Sequence, residues 1–219
     1  MPRRARVVIP DSPHHVTQRG NYRQNVFHSP ADYNYYCELI AQYSAKYATK
    51  IHAYCLMTNH IHFIATPPDA DALAKLFNTA HMRYSQYINR KQQASGHLWQ
   101  GCFFSCVLDP AHLYKAVRYV EQNPVRAGVA KRAWDYPYSS AKDHMGCGTS
   151  VIPVQNIIDW ESDMSWELYL AEADQVFADD IRVKTQRGLV VGSAEFVRMI
   201  ESMLKRSFAC RVQGRPRKE

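Results

Sequence analysis

The chain contains no apolar run long enough to span a membrane, and its first residues, Met-Pro-Arg-Arg-Ala-Arg, lead into no apolar signal core. A cytoplasmic protein with no membrane partner is the resulting expectation. Paired cysteines are also missing: Cys37, Cys55, Cys102, Cys106, Cys147 and Cys210 are scattered. The one close pair, Cys102 and Cys106, has no second pair at zinc-site spacing, so reduced structural thiols are expected. Between residues 151 and 181 there is no Lys or Arg at all, against eight acidic residues.

What is present reads as an ordinary folded chain. At 219 residues, 46% hydrophobic and 21% charged, it accommodates one well-buried catalytic domain plus an appendage better than two full domains. The net charge of +7 is unevenly spread. Residues 1 to 6 carry +3 and residues 7 to 150 carry +5, then the acidic strip from 151 to 181 carries −8. Residues 182 to 204 return +2 and residues 205 to 219 return +5. Positive charge at both ends suits a polyanion such as nucleic acid.

Hydrophobic spacing orders the elements. His14 to Arg19 alternates as a strand and stops at Gly20-Asn21. Asp32 to Lys50 has helical spacing through Tyr36, Leu39, Ile40, Tyr43 and Tyr47. Ile51 to Met57 and His60 to Ala65, separated by Thr58-Asn59, form a hairpin pair. Asp71 to about Arg90 is a second helix and Cys102 to Leu108 another strand. Asp109-Pro110 opens a third helix, which should stop near Asn123 because Pro124 disfavours helical geometry before it. This order predicts an α+β fold: a ferredoxin-like split βαβ antiparallel sheet with helices on one face, plus a small helical C-terminal extension. The domain reading is 1–145 catalytic, 146–204 acidic linker and helical extension (short helices near Ser165–Phe177 and Ser193–Lys205), and 205–219 basic tail.

Three residue groups bear chemistry. His60 and His62 are two apart on a strand and project from one face, which makes half of a metal site. Tyr119 and Asn123 are four apart on a helix and share a face, so a phenol and an amide oxygen stand one turn apart. Tyr114 lies some 140° around that helix from Tyr119 and is out of phase with Asn123. Each group has an ordinary reading too: strand histidines are often only hydrogen-bonded, and a chain with 14 tyrosines buries many of them. Arg19, Arg23 and Arg83, with Arg90 and Lys91, are candidates for gripping a phosphate backbone, and Trp99 with neighbouring tyrosines for stacking on bases. In the tail, Gly214-Arg215-Pro216 followed by Arg217-Lys218 is similar to an AT-hook core, whose arginines (Arg215, Arg217) would enter the minor groove of A·T-rich duplex. A histidine-triad hydrolase would need a third alternating histidine, and position 64 is Ile; a two-histidine phosphoesterase would need a second His-x-Thr/Ser besides His15-Val16-Thr17.

Taken together, His15-Val16-Thr17-Gln18-Arg19-Gly20-Asn21, Met57-Thr58-Asn59-His60-Ile61-His62 and Arg118-Tyr119-Val120-Glu121-Gln122-Asn123-Pro124-Val125-Arg126-Ala127-Gly128, with Tyr136-Pro137-Tyr138-Ser139-Ser140, resemble the HUH single-tyrosine transposases, most closely the REP-associated tyrosine transposases of bacterial genomes. The resemblance covers about residues 5 to 145. It implies that His60 and His62 bind Mg²⁺ or Mn²⁺, that Asn123 stands where some relatives have a glutamine as third ligand, and that Tyr119 is the nucleophile. It further implies single-stranded, hairpin-containing DNA as substrate, a 5′-phosphotyrosine intermediate, and strand transfer without a nucleotide cofactor. A non-catalytic DNA-binding protein of the same fold is the alternative. Relatives include monomers and helix-exchanging dimers, and the sequence does not choose between them.

Overall fold

The computed structural model describes residues 6–157 and 165–208. Arg215 and Arg217 of the AT-hook-like tail lie outside the described residues. In chain order the strands are β1 (His14–Arg19), β2 (Lys50–Met57), β3 (His60–Thr66), β4 (Phe104–Leu108) and β5 (Val190–Val191). The helices are α1 (Pro30–Lys46), α2 (Ala72–Lys91), α3 (Leu113–Glu121), α4 (Asn123–Arg126), α5 (Ala141–His144), α6 (Trp166–Ala171), α7 (Gln175–Arg187) and α8 (Ala194–Leu204).

The strands lie side by side in the order β2-β3-β1-β4-β5. The first four are antiparallel, as the split βαβ order requires, and β5 joins parallel to β4. The hairpin is the tight one expected, with Met57 paired to His60 across Thr58-Asn59. Because strand side chains alternate, one register sets both faces. Val16, Ile61, Phe63 and Ala65 point to the side covered by α1 and α2. Ile64, Cys106 and Leu108 point to the other side, against Ala116, Val117 and Val120 of α3 and Phe177, Ala178 and Ile181 of α7. The two crossover helices thus share one face, and the tyrosine helix and the extension cover the other.

The first core is an aromatic one, with Phe27, Tyr36, Phe63, Phe77, Tyr84 and Trp99 buried together. Each large apolar side chain so enclosed contributes about 1.5–3 kcal/mol. Its tyrosines keep their hydroxyls bonded: Tyr84 donates to the Val26 carbonyl at 2.7 Å, and Tyr36 lies 2.9 Å from Nε2 of His81. Tyr136 on the opposite side donates to the Leu56 carbonyl at 2.7 Å.

Two local expectations change. The third helix does not open at Asp109-Pro110: Asp109 accepts from Ala111 N and caps a 3-10 turn over Pro110–His112, and α3 starts at Leu113. The break forced by Pro124 falls at Gln122, after which a one-turn helix resumes with Pro124 in its first turn, where its missing N–H costs nothing. Asn123 therefore begins α4 rather than closing α3.

Candidate active site

One cleft of about 580 Å³ opens on the α3/α7 side of the sheet, and its walls include His15, Thr17, Arg19, His60, His62, Tyr119 and Asn123. Register explains the first five. Arg19 pairs with His60, Thr17 with His62 and His15 with Ile64, so the odd residues of β1 and the even residues of β3 share that face. The rings of His60 and His62 lie 5.1 Å apart at 81°, two imidazoles converging from adjacent positions.

Helix α3 brings the phenol. Tyr119 stands edge-on to both His15 (5.5 Å, 88°) and His62 (5.8 Å, 89°). Asn123 sits one turn on, its amide nitrogen donating to the carbonyls of Tyr119 (3.2 Å) and Val120 (3.0 Å), which leaves Oδ1 outside those bonds. Tyr114 is carried away from the cleft and donates to the Ile157 carbonyl at 2.8 Å. The structure thus gathers Tyr119, His60, His62 and Asn123 and separates Tyr114 from them.

The histidines are held neutral. Burial, then Arg19, pushes His60 down to about 4, and burial, then Arg126, pushes His15 down to about 3. His62 is lowered well below the usual range by burial, then by His60 and His15. Tyr119 is raised by burial, while Arg126 and Arg182 draw it back, Arg182 also through a hydrogen-bonding approach to the phenol.

A metal fits the donor set. Asn59 donates from Nδ2 to the Arg23 carbonyl (3.2 Å), so its Oδ1 faces Nδ1 of His60 at 2.6 Å and must accept from it. That leaves Nε2 of His60 as a lone pair, the arrangement usual for a metal-bound imidazole. The turn that supplies the Arg23 carbonyl depends on Gly20, where a Cβ would sit 2.3 Å from the Gln24 carbonyl oxygen. Among the described residues no three His, Cys, Asp or Glu side chains gather as a metal site; the cleft lining offers the imidazoles of His60 and His62 together with amide side chains, Asn123 among them.

The basic residues separate into groups. Arg19 lines the cleft, where burial first and then the exposed Arg23 lower its pKa. Arg83 is exposed on α2, the helix that packs on the opposite face of the sheet, and so does not belong to the cleft. Lys91 is tied to the buried Asp32 at 2.5 Å. Trp99 is only 6% exposed within the aromatic core, so its ring faces are covered, whereas Tyr22, beside Arg23, is 92% exposed. The acidic strip is partly structural, since Glu172 (3.0 Å) and Asp174 (3.4 Å) bond the buried Arg118 of α3.

Sequence reasoning missed His15, Arg126, Arg182 and Thr185. The short helix expected near Ser165–Phe177 ends at Ala171, and α7 runs on from Gln175 to Arg187, placing Arg182, Thr185 and Gln186 in the cleft wall. The signal was there: Phe177, Ala178, Ile181 and Thr185 fall on one helical face and Gly188 ends it in a left-handed cap.

The fold is thus a ferredoxin-like sheet whose one face carries a cleft lined by three histidines and a tyrosine. The model of the IS200-like transposase family matches residues 10–123, more than half of the chain, and the chain belongs to that family. Among solved structures, a REP-associated tyrosine transposase bound to a REP hairpin is similar in fold, with a TM-score of 0.58 at 19% identity over 74% of this chain and 96% of that one. A Deinococcus radiodurans protein assigned as a transposase gives a TM-score of 0.38 at 17% identity, covering 55% of this chain and 96% of that one, and bears no weight here. No curated protein matches the chain. No helix among the described residues is long and apolar enough to cross a membrane.

Proposed function

We propose that this transposase-family protein is a divalent-metal-dependent enzyme that nicks and rejoins single-stranded, hairpin-containing DNA through a 5′-phosphotyrosine on Tyr119. The observation that carries the reading is the convergence of Tyr119, His60, His62 and Asn123 in one cleft lined by Arg19 and Arg182. His60 and His62, with the amide oxygen of Asn123, would hold Mg²⁺ or Mn²⁺, which when bound supplies charge stabilisation at the phosphoryl oxygens.

The chain's own residues do the rest. Burial keeps Tyr119 a neutral phenol at rest, a poor nucleophile. Arg126 and Arg182 favour the phenolate as an approaching phosphodiester is aligned, and Arg19 offers charge to its oxygens. The Tyr119 oxygen then forms a bond to phosphorus in line with the breaking bond to the 3′-oxygen. The phenol proton is lost to solvent, and the leaving 3′-oxygen takes up a proton to become a hydroxyl. The phosphodiester energy is retained in the phosphotyrosine, so attack by another 3′-hydroxyl rejoins a strand and restores the phenol without ATP. Arg23 and the exposed Tyr22 extend the DNA track beyond the cleft, by charge and by stacking.

The test is a denaturing gel of the protein with a labelled hairpin oligonucleotide and Mn²⁺. A metal-dependent covalent protein–DNA adduct is expected. DNA binding with neither nicking nor adduct overturns the proposal in favour of a non-catalytic DNA-binding protein.

A further inference from the structure

We infer that Thr185 and His15 are positioning residues that hold His62 in the tautomer whose Nε2 is an unprotonated donor toward the cleft, so that helix α7, beyond the family-matched stretch, is part of the working site. The inference rests on the reading of His62 as a metal ligand.

The argument follows the protons. Thr185 Oγ1 lies 2.6 Å from the carbonyl of Ile181, one helical turn back, and a carbonyl can only accept. The hydroxyl hydrogen is therefore committed there. Oγ1 has two further neighbours, His15 Nδ1 at 2.7 Å and Cys106 Sγ at 3.0 Å, and toward both it can only accept. His15 must then carry its hydrogen on Nδ1. A neutral imidazole has one N–H, and His15 is enclosed at 1% exposure, a setting that disfavours the charged ring. Its Nε2 is left as a lone pair, 2.9 Å from Nδ1 of His62. His62 must donate across that contact, which empties its own Nε2. The two ring planes differ by only 8° with centroids 5.1 Å apart, the edge-to-edge arrangement that an N–H···N bond made in the ring planes requires.

A separate chain does the same for His60, from the Arg23 carbonyl through Asn59 to Nδ1. Two unrelated hydrogen-bond series thus leave Nε2 of both histidines bare. With Thr185 removed, His15 loses its acceptor and is free to place its hydrogen on Nε2, which would force His62 to accept on Nδ1 and to block Nε2 with a proton.

The experiment uses the full chain with ¹⁵N-labelled histidine. In the metal-free wild type, long-range ¹H–¹⁵N NMR should show His15, His60 and His62 all protonated on Nδ1. Thr185→Val should give His62 a mixed or Nε2–H population and weaken Mn²⁺ binding, followed by EPR titration, roughly ten- to hundredfold, while Thr185→Ser restores both. A wild-type His62 protonated on Nε2, or a Thr185→Val protein with unchanged tautomer and unchanged Mn²⁺ affinity, overturns the inference. A wild type with the stated tautomers that binds no Mn²⁺ supports the positioning role and sinks the proposed metal-dependent function instead.

Discussion

The guanidinium of Arg126 lies 4.4 Å from the centre of the Tyr119 ring and donates to the Tyr119 carbonyl at 2.8 Å. Tyr119 is thus tethered through its backbone and its ring by a cation seven residues on. That cation opposes the rise in phenol pKa that burial imposes. Arg126→Gln should slow adduct formation roughly ten- to hundredfold and move the alkaline rise of its rate to higher pH. Arg126→Lys keeps a charge without the planar contact and should fall between. Equal rates and superimposable pH profiles would remove Arg126 from the account.

Arg118 anchors the extension on the back of α3. It is 5% exposed, bonds Glu172 and Asp174, and packs 4.2 Å from the ring centre of Tyr169. Glu172 is half exposed, which weakens its share through solvent screening. Arg118→Ala should cost about 1–2 kcal/mol and lower Tm by several degrees. Because α6 and α7 dock through it, limited proteolysis should then cut between residues 165 and 181 sooner than in the wild type. Unchanged Tm and an unchanged digestion pattern would contradict that role.

Acid stability has a defined sign. Burial lowers His14 to about 4 and His81 to about 3, and neither lines the cleft. A histidine whose folded pKa is depressed contributes its full stability above the unfolded value near 6.5. That contribution is lost as pH falls from 6.5 toward the folded value, at up to about 1.4 kcal/mol per pH unit for each such group. His81→Gln should therefore show a smaller drop in Tm between pH 7 and pH 5 than the wild type. A drop of equal size would mean that carboxylates alone set the acid limb.

Much of this is legible in the amino-acid sequence. Alternation and turn residues located β1, the β2–β3 hairpin and both crossover helices, because those elements bury an amphipathic face against one core. Phase alone separated Tyr119 from Tyr114. What was not legible lies where tertiary contacts decide. His15 is one of several strand histidines, and only the pairing of β1 with β3 places it behind His62. α7 carries an apolar stripe legible in its spacing, but its place beside the cleft is set only by packing against α3 and β4. Arg83 and Trp99 had suitable chemistry on the wrong side of the sheet or inside it.

The most direct measurement is covalent capture by single tyrosine variants. Wild type, Tyr119→Phe and Tyr114→Phe are each incubated with hairpin DNA and Mn²⁺, and the adduct site is read by mass spectrometry after nuclease digestion. Tyr119→Phe should bind the hairpin and form no adduct, while Tyr114→Phe, whose lost hydroxyl donates to the Ile157 carbonyl away from the cleft, should form it through Tyr119. An adduct that persists in Tyr119→Phe, or one mapped to Tyr114 in the wild type, would contradict the account.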